Sequence, residues 1–156
     1  MAYLPPRVFI LDTTTQAIAV ANTPQAITFD TNNVLLKAAH STSTDPSRIT
    51  VNETGGYLIS FSGQSSLGIG AIATLDIWFR INGTDVANSN TKITLVNASD
   101  QKKTTIVRAI SMTAGQYLEV VMSGDTTNLS LLATVAGVTP TRPATPSATI
   151  LLAKIS

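Results

Sequence analysis

The sequence predicts an all-β sandwich of antiparallel strands, and three observations carry that expectation. From Ile49 to Leu132, segment after segment alternates apolar with polar residues, as in GYLISFS, TLDIWFRI and YLEVVM. Alternation at period two marks a strand with one buried and one wet face. Gly, Asn, Asp and Pro punctuate these segments at short intervals, which is the spacing of a sandwich. No stretch carries heptads, a long helical period or a fixed repeat.

Taken in order, residues 1–6 read as an extended arm, because Pro5 and Pro6 fix φ and disfavour helix before them. Residues 8–11 form a short apolar strand, ended by a Thr-rich turn over 12–15. Residues 18–21 and 26–30 are short strands around the turn residues Asn22, Thr23 and Pro24. VLLKAA, 34–39, fits a helical turn or a strand and is assigned to strand; 41–47 is a polar loop. Residues 48–52 form a strand and 53–56 a turn, after which Tyr57, Ile59 and Phe61 share one face. The Gly/Ser-rich run 62–70 reads as a loop or a bulged edge. Over 74–81, Leu75, Ile77, Phe79 and Ile81 face one way and Asp76, Trp78 and Arg80 the other. Asn82-Gly83 follows at once, the strongest short hairpin signal in the chain.

Strands over 91–96 and 103–112 flank a loop, 97–102, and 113–115 turns the chain into a strand over 116–122. Leu118, Val120 and Met122 share a face there. Residues 129–136 are a strand, 138–147 a Pro/Thr loop and 148–155 the closing strand. That strand is expected to be paired inside a sheet, since frayed it would expose backbone polar groups and apolar side chains.

At 156 residues the chain is one domain, and one of this size buries roughly 70% of its unfolded surface without disulfide staples. It has no cysteine, which excludes cysteine-based metal sites. Charged residues make up 12% of the chain, about half the ordinary share. So few charges imply that more surface is hidden than one monomer can hide, by self-association or by docking on a large assembly. A surface of Thr, Ser and Asn is the plainer alternative. The net charge is +1 and no basic run exceeds Lys102–Lys103, which argues against a nucleic-acid surface. No apolar stretch approaches the ~20 residues of a membrane-spanning helix. The start, MAYLPPRVFILDTTT, lacks the layout of a secretory signal.

Catalytic chemistry finds little material. His40 is the single histidine, so any Ser-His-Asp triad must use it; Asp45, its nearest carboxylate, lies across a proline-containing loop. No GxSxG elbow occurs. The two glutamates, Glu53 and Glu119, sit in a turn and opposite an apolar strand face, and nothing pairs carboxylates for hydrolysis. Gly68-Ile69-Gly70 is too short for a dinucleotide loop. Asp85 with Asn88, or Asp100 with Asn97, could offer loop oxygens to calcium, but turn formation explains them more simply. Asn52, Asn82, Asn97 and Asn128 match the glycosylation pattern and are read as unmodified turns. The expectation is therefore no catalytic residue, no metal and no cofactor. Trp78, on the polar face of its strand, is either buried under a loop or an interface anchor. Arg108 interrupts the apolar face of Ile106, Ile110 and Met112, which suggests an arginine paired at an interface.

Four segments together carry a family resemblance: Gly56-Tyr57-Leu58-Ile59-Ser60 after a turn, Trp78-Phe79-Arg80-Ile81-Asn82-Gly83-Thr84, Met112-Thr113-Ala114-Gly115-Gln116-Tyr117-Leu118-Glu119-Val120, and the closing Ser147-Ala148-Thr149-Ile150. They resemble the jelly-roll domain shared by complement-type globular heads and the tumour-necrosis-factor superfamily, with Gln116 where that family favours Asp. The opening DTTTQAIAVANTPQAITFDT looks like versions found in tailed bacteriophages. The resemblance implies a two-sheet antiparallel jelly roll over 16–156, preceded by the arm and first short strand over 1–15, that forms a homotrimer and recognises partners without catalysis. It implies a trimeric capsid decoration, or cement, protein on the outer surface of a virion, made in the host cytoplasm, whose partners are itself and the major coat protein, with no nucleic acid and no membrane. The alternative is a receptor- or glycan-binding knob of a tail fibre or spike. The interface candidates are Met1, Tyr3, Leu4, Pro5, Pro6 and Arg7 of the arm, the expected coat contact, with Trp78, Arg108 and Tyr117.

Overall fold

The computed structural model describes residues 3–156 and arranges them as two seven-stranded sheets packed face to face, with a small separate hairpin. The strands are β1 (Arg7–Asp12), β2 (Gln16–Ala17), β3 (Gln25–Ala26), β4 (Thr31–Leu36), β5 (Ala38–Ala39), β6 (Ile49–Val51), β7 (Gly55–Leu67), β8 (Ala71–Ile81), β9 (Thr84–Asp85), β10 (Thr91–Asn97), β11 (Gln101–Met112), β12 (Tyr117–Gly124), β13 (Leu129–Leu131), β14 (Gly137–Val138), β15 (Thr141–Arg142) and β16 (Ala148–Lys154). All pairings are antiparallel, and the architecture is the jelly-roll sandwich.

In the first sheet β7 is the backbone of the layer. One of its edges pairs with β11 along its whole length, from Met112 opposite Gly55 to Gln101 opposite Ser66. Its other edge is shared in line by β16, opposite residues 57–63, and β13, opposite 65–67. Beyond β16 lie β1 and then β4, so the closing strand is central, with hydrogen-bonded neighbours on both sides. The second sheet runs β10–β8–β12–β6–β5, with β9 extending the β10 edge and β3 beside β12.

The core between the sheets is what the alternation predicts. Tyr57, Ile59 and Phe61 of β7 and Ile150 and Leu152 of β16 face Leu75, Ile77 and Phe79 of β8 and Leu118, Val120 and Met122 of β12, all fully buried. Each such side chain contributes about 1.5–3 kcal/mol relative to exposure. Asn82 and Gly83 both have positive φ (48° and 79°), the pair that a type I′ hairpin turn requires.

Two local readings of the sequence change. Residues 62–67 are not a loop: β7 continues through them, with Ser65 fully buried. Small residues serve here because neighbours come close. A Cβ on Gly63 would lie 3.1 Å from both Leu131 Cδ2 and the Phe61 ring. Gly63→Val is expected to destabilise by about 1–3 kcal/mol through overpacking, checked as a lower urea midpoint at unchanged slope. The segment 34–39 is neither one strand nor a helix. It breaks at Lys37, whose φ is 52°, and there the chain leaves the first sheet as β4 and enters the second as β5. A non-glycine residue in that region marks a sharp redirection. No strand forms over 18–21, where the chain turns after the short β2 at Gln16–Ala17; the strand expected over 26–30 is reduced to β3 at Gln25–Ala26 and that over 129–136 to β13, and the loop after 136 folds into the β14–β15 hairpin.

Candidate functional site

The residues with catalytic or ligating chemistry are occupied by structural contacts. Nδ1 of His40 lies 2.6 Å from Asn32 Oδ1 and Nε2 lies 2.9 Å from the Pro46 carbonyl, so the imidazole ties strand β4 to the loop before β6. Asp100 accepts the Val96 and Asn97 amides at 2.9 and 3.0 Å, which hold its carboxyl below the usual range. Asp85 is held low mainly by Trp78, whose Nε1 donates to its Oδ1 at 2.8 Å, and by the Arg80 Nε–H donating to the same oxygen. Glu119, on the outward side of β12, is nonetheless buried; Ser47 Oγ donates to it at 2.8 Å and Arg48 Nε lies 3.6 Å away. Among the described residues no three His, Cys, Asp or Glu side chains gather as a metal site.

What the fold does build is a broad, nearly charge-free face on the outside of the first sheet. Register places its outward side chains in three rows. The middle row reads Val107–Ser60–Leu151–Phe9–Val34 across β11, β7, β16, β1 and β4. The flanking rows are Ala109–Leu58–Ala153–Arg7–Leu36 and Thr105–Ser62–Thr149–Leu11–Thr31. Five strands at about 4.8 Å make this face roughly 20 Å wide. Arg7 is the one charged residue of these three rows, and Lys103, opposite Gln64, stands one step beyond the Thr105 row. Val107, Leu151 and Val34 keep 50%, 39% and 41% of their exposure. Isolated exposed apolar residues mean little, but a contiguous row across a whole sheet marks a contact surface. Each strand's alternation is legible on its own, but only the register reveals that the uncharged outward positions coincide.

The predicted interface residues do not form one surface. Arg7 stands in the uncharged face. Trp78 lies half-buried on the outward side of the opposite sheet. Arg108 points inward at the edge of β11, opposite the core residue Ile59, and donates to the Val107 carbonyl. Tyr117 is covered by the Arg48 guanidinium, 4.5 Å from its ring centroid. Met1 lies outside the described residues. Tyr3 and Leu4 are exposed, Pro5 is exposed and Pro6 is buried.

The arm is fastened. The Tyr3 hydroxyl donates to Glu53 Oε2, Lys37 Nζ stands 4.0 Å from the Tyr3 ring centroid, and Lys37 and Lys154 bridge to Glu53 at 3.0 and 3.2 Å. The Tyr3 hydrogen bond and then the Lys37 contact lower the Glu53 carboxyl to about 2, from an ordinary 4.5. A depressed carboxyl stabilises the fold above its unfolded value and loses that contribution as pH falls through the folded one. Thermal stability is therefore expected to fall between pH 4.5 and 2, and Glu53→Gln should flatten that part of the profile. Added salt should weaken the effect, since the cluster is partly solvated.

The end of the sandwich opposite the arm carries a second apolar set. Loops there are tied by the Gly68 amide donating to the Asn128 carbonyl and the Leu67 amide to that of Asp100. Ile69 in the loop and Ile72 at the start of β8 are exposed there, as are Val135 and Val138 before and in the β14–β15 hairpin.

No family model and no curated protein matches the chain. Its fold is similar to solved structures over nearly its whole length. The globular domain of zebrafish complement 1qA protein matches with a TM-score of 0.63 at 14% identity, covering 98% of both chains. Murine APRIL matches with 0.58 at 8%, covering 97% of this chain and 100% of that one. Eiger TNF from S. frugiperda matches with 0.55 at 13%, covering 98% and 94%. At such identities the likeness establishes the fold: the chain is a jelly roll of the kind seen in complement heads and tumour-necrosis-factor ligands.

Proposed function

We propose that the chain is a non-enzymatic virion structural protein, a trimeric decoration or cement protein that binds and stabilises the coat-protein shell of a bacteriophage capsid. The observation that carries self-association is the uncharged face centred on Leu151, Phe9 and Val34. Packing it against other copies hides apolar area while bringing only one charge per copy, Arg7, to the contact, and it accounts for a chain with only 12% charged residues. A trimer seated at threefold positions of a shell would bridge neighbouring coat subunits through many repeated shallow contacts. The capsid role rests on the phage-like opening sequence. The arm, residues 1–7, is the proposed coat contact, and Tyr3 and Leu4 within it are exposed.

Sedimentation equilibrium tests the first part: three times 16.3 kDa is expected. Co-sedimentation with empty coat shells tests the second, with host cells as the parallel target. Saturable binding to shells at a fixed ratio supports the proposal, and loss of that binding on removal of residues 1–6 supports the arm. Binding to cells but not to shells overturns it in favour of a receptor-binding knob.

A further inference from the structure

On the outward side of the second sheet, away from the uncharged face, Trp78 opens onto a cleft of about 510 Å³, within the range of small-ligand sites. Its floor is fixed by register. Trp78 stands on the outward side of β8. One step along, Lys92, Asp76 and Ser123 form a cross-strand row over β10, β8 and β12. The wall is the segment after β9. Buried Ser89 fastens it by accepting the Phe79 amide at 3.0 Å and donating to the Val86 carbonyl at 2.8 Å.

The polar groups are held in place before any ligand arrives. Asp85 Oδ1 takes the indole N–H and the Arg80 Nε–H, both at 2.8 Å, which fixes the plane of the Trp78 ring. Asn90 Nδ2 donates to Asp76 Oδ1 at 2.8 Å. In each pair the second oxygen of the carboxylate makes no hydrogen bond among the described residues. The Asn90 amide keeps its own oxygen as an acceptor. Charge is balanced, with Asp76 and Asp85 set against Lys92 and Arg80. A nucleotide or sulfated ligand would find one lysine facing two carboxylates. A divalent cation would find two carboxylates, each already shared with a donor. An uncharged ring bearing several hydroxyls fits: its C–H face packs on the indole while its hydroxyls meet carboxylate, amide and ammonium groups.

We infer that this cleft is a binding site for a neutral saccharide, with Trp78 as the stacking platform and Asp76, Asp85 and Asn90 as the hydroxyl-reading groups. The inference does not depend on what the chain is mounted on or on its oligomeric state. The cleft and the uncharged face lie on opposite sides of the sandwich, so three copies could display three clefts at once and raise a weak affinity by avidity.

Trp78 is the sole tryptophan of the chain, so its emission reports on this cleft alone. The full chain would be titrated with D-glucose, D-galactose and N-acetyl-D-glucosamine, with glycerol as the acyclic polyol control. Saturation-transfer NMR would run in parallel. A saturable emission change with at least one sugar, at low millimolar affinity, and magnetisation transfer to that sugar's ring C–H protons are expected. Asn90→Ala, which keeps the reporter, should weaken binding about tenfold. Trp78→Phe should abolish the transfer at an unchanged circular dichroism spectrum. Responses to every sugar that stay linear like glycerol's up to about 100 mM, with no transfer, would overturn the assignment. So would a saturable response to calcium chloride alone, which would make the cleft a cation site.

Discussion

Removal of residues 150–156 is expected to leave no soluble folded protein. This segment is most of β16, which is hydrogen-bonded to β1 on one side and β7 on the other from Ala148 to Lys154. Losing it separates those strands and uncovers the inner faces of both. Ile150 and Leu152, each fully buried, go with it. Their burial alone is worth about 3–6 kcal/mol, and the ladder amides and carbonyls of β1 and β7 lose their partners as well. Against a total stability of about 5–15 kcal/mol, nothing is left to hold the sandwich. The milder Leu152→Ala should cost about 2–5 kcal/mol and remain measurable by chemical unfolding. A truncated chain that is soluble and melts like the parent would show that β16 is not the structural centre of the first sheet.

The parts of this fold legible in the sequence are those where large apolar residues repeat every second position. Tyr57 to Phe61, Leu75 to Phe79 and Leu118 to Met122 all fall on the core side as alternation demands. The Asn82-Gly83 turn was equally plain, since few other pairs accept positive φ twice. Reading failed where packing asks for small residues. Gly63 and Ser65 look like loop but belong to a buried strand: Gly63 is crowded by the Phe61 ring and by Leu131, and Ser65 pairs with that same Leu131, distant in sequence. It failed again at Lys37, where one apolar run serves two sheets.

The candidate surfaces were less legible than the core. Trp78 stood out by its place on a polar face, but its partner Asp85, and the Asn90 that holds Asp76, arrive through a hairpin whose path along the β8 edge no periodicity encodes. The uncharged face was hidden for a related reason. A valine here and a leucine there are unremarkable in single strands, and they become one surface only when five registers are known.

That surface sets the second large expectation. Leu151→Asp should convert the self-associated protein to monomer while leaving the protomer folded. Leu151 is 39% exposed in the single chain, so an aspartate there stays solvated before association and costs little. Once copies pack, the same carboxylate loses its water, and its one counter-charge within the three rows is Arg7, which stands diagonally across on β1 and must itself be desolvated to pair with it. An unpaired charge forced into such a contact costs about 2–5 kcal/mol. That is roughly a 30- to 5,000-fold loss per contact, compounded because every copy carries it. Thr94→Asp, exposed on the outward side of β10 in the other sheet, adds the same charge and should leave the assembly intact. Sedimentation velocity of the two variants beside the parent reads the difference directly. If Leu151→Asp and Thr94→Asp sediment alike, copies meet through some other surface, and the low charge of the chain needs an explanation in its Thr, Ser and Asn coat.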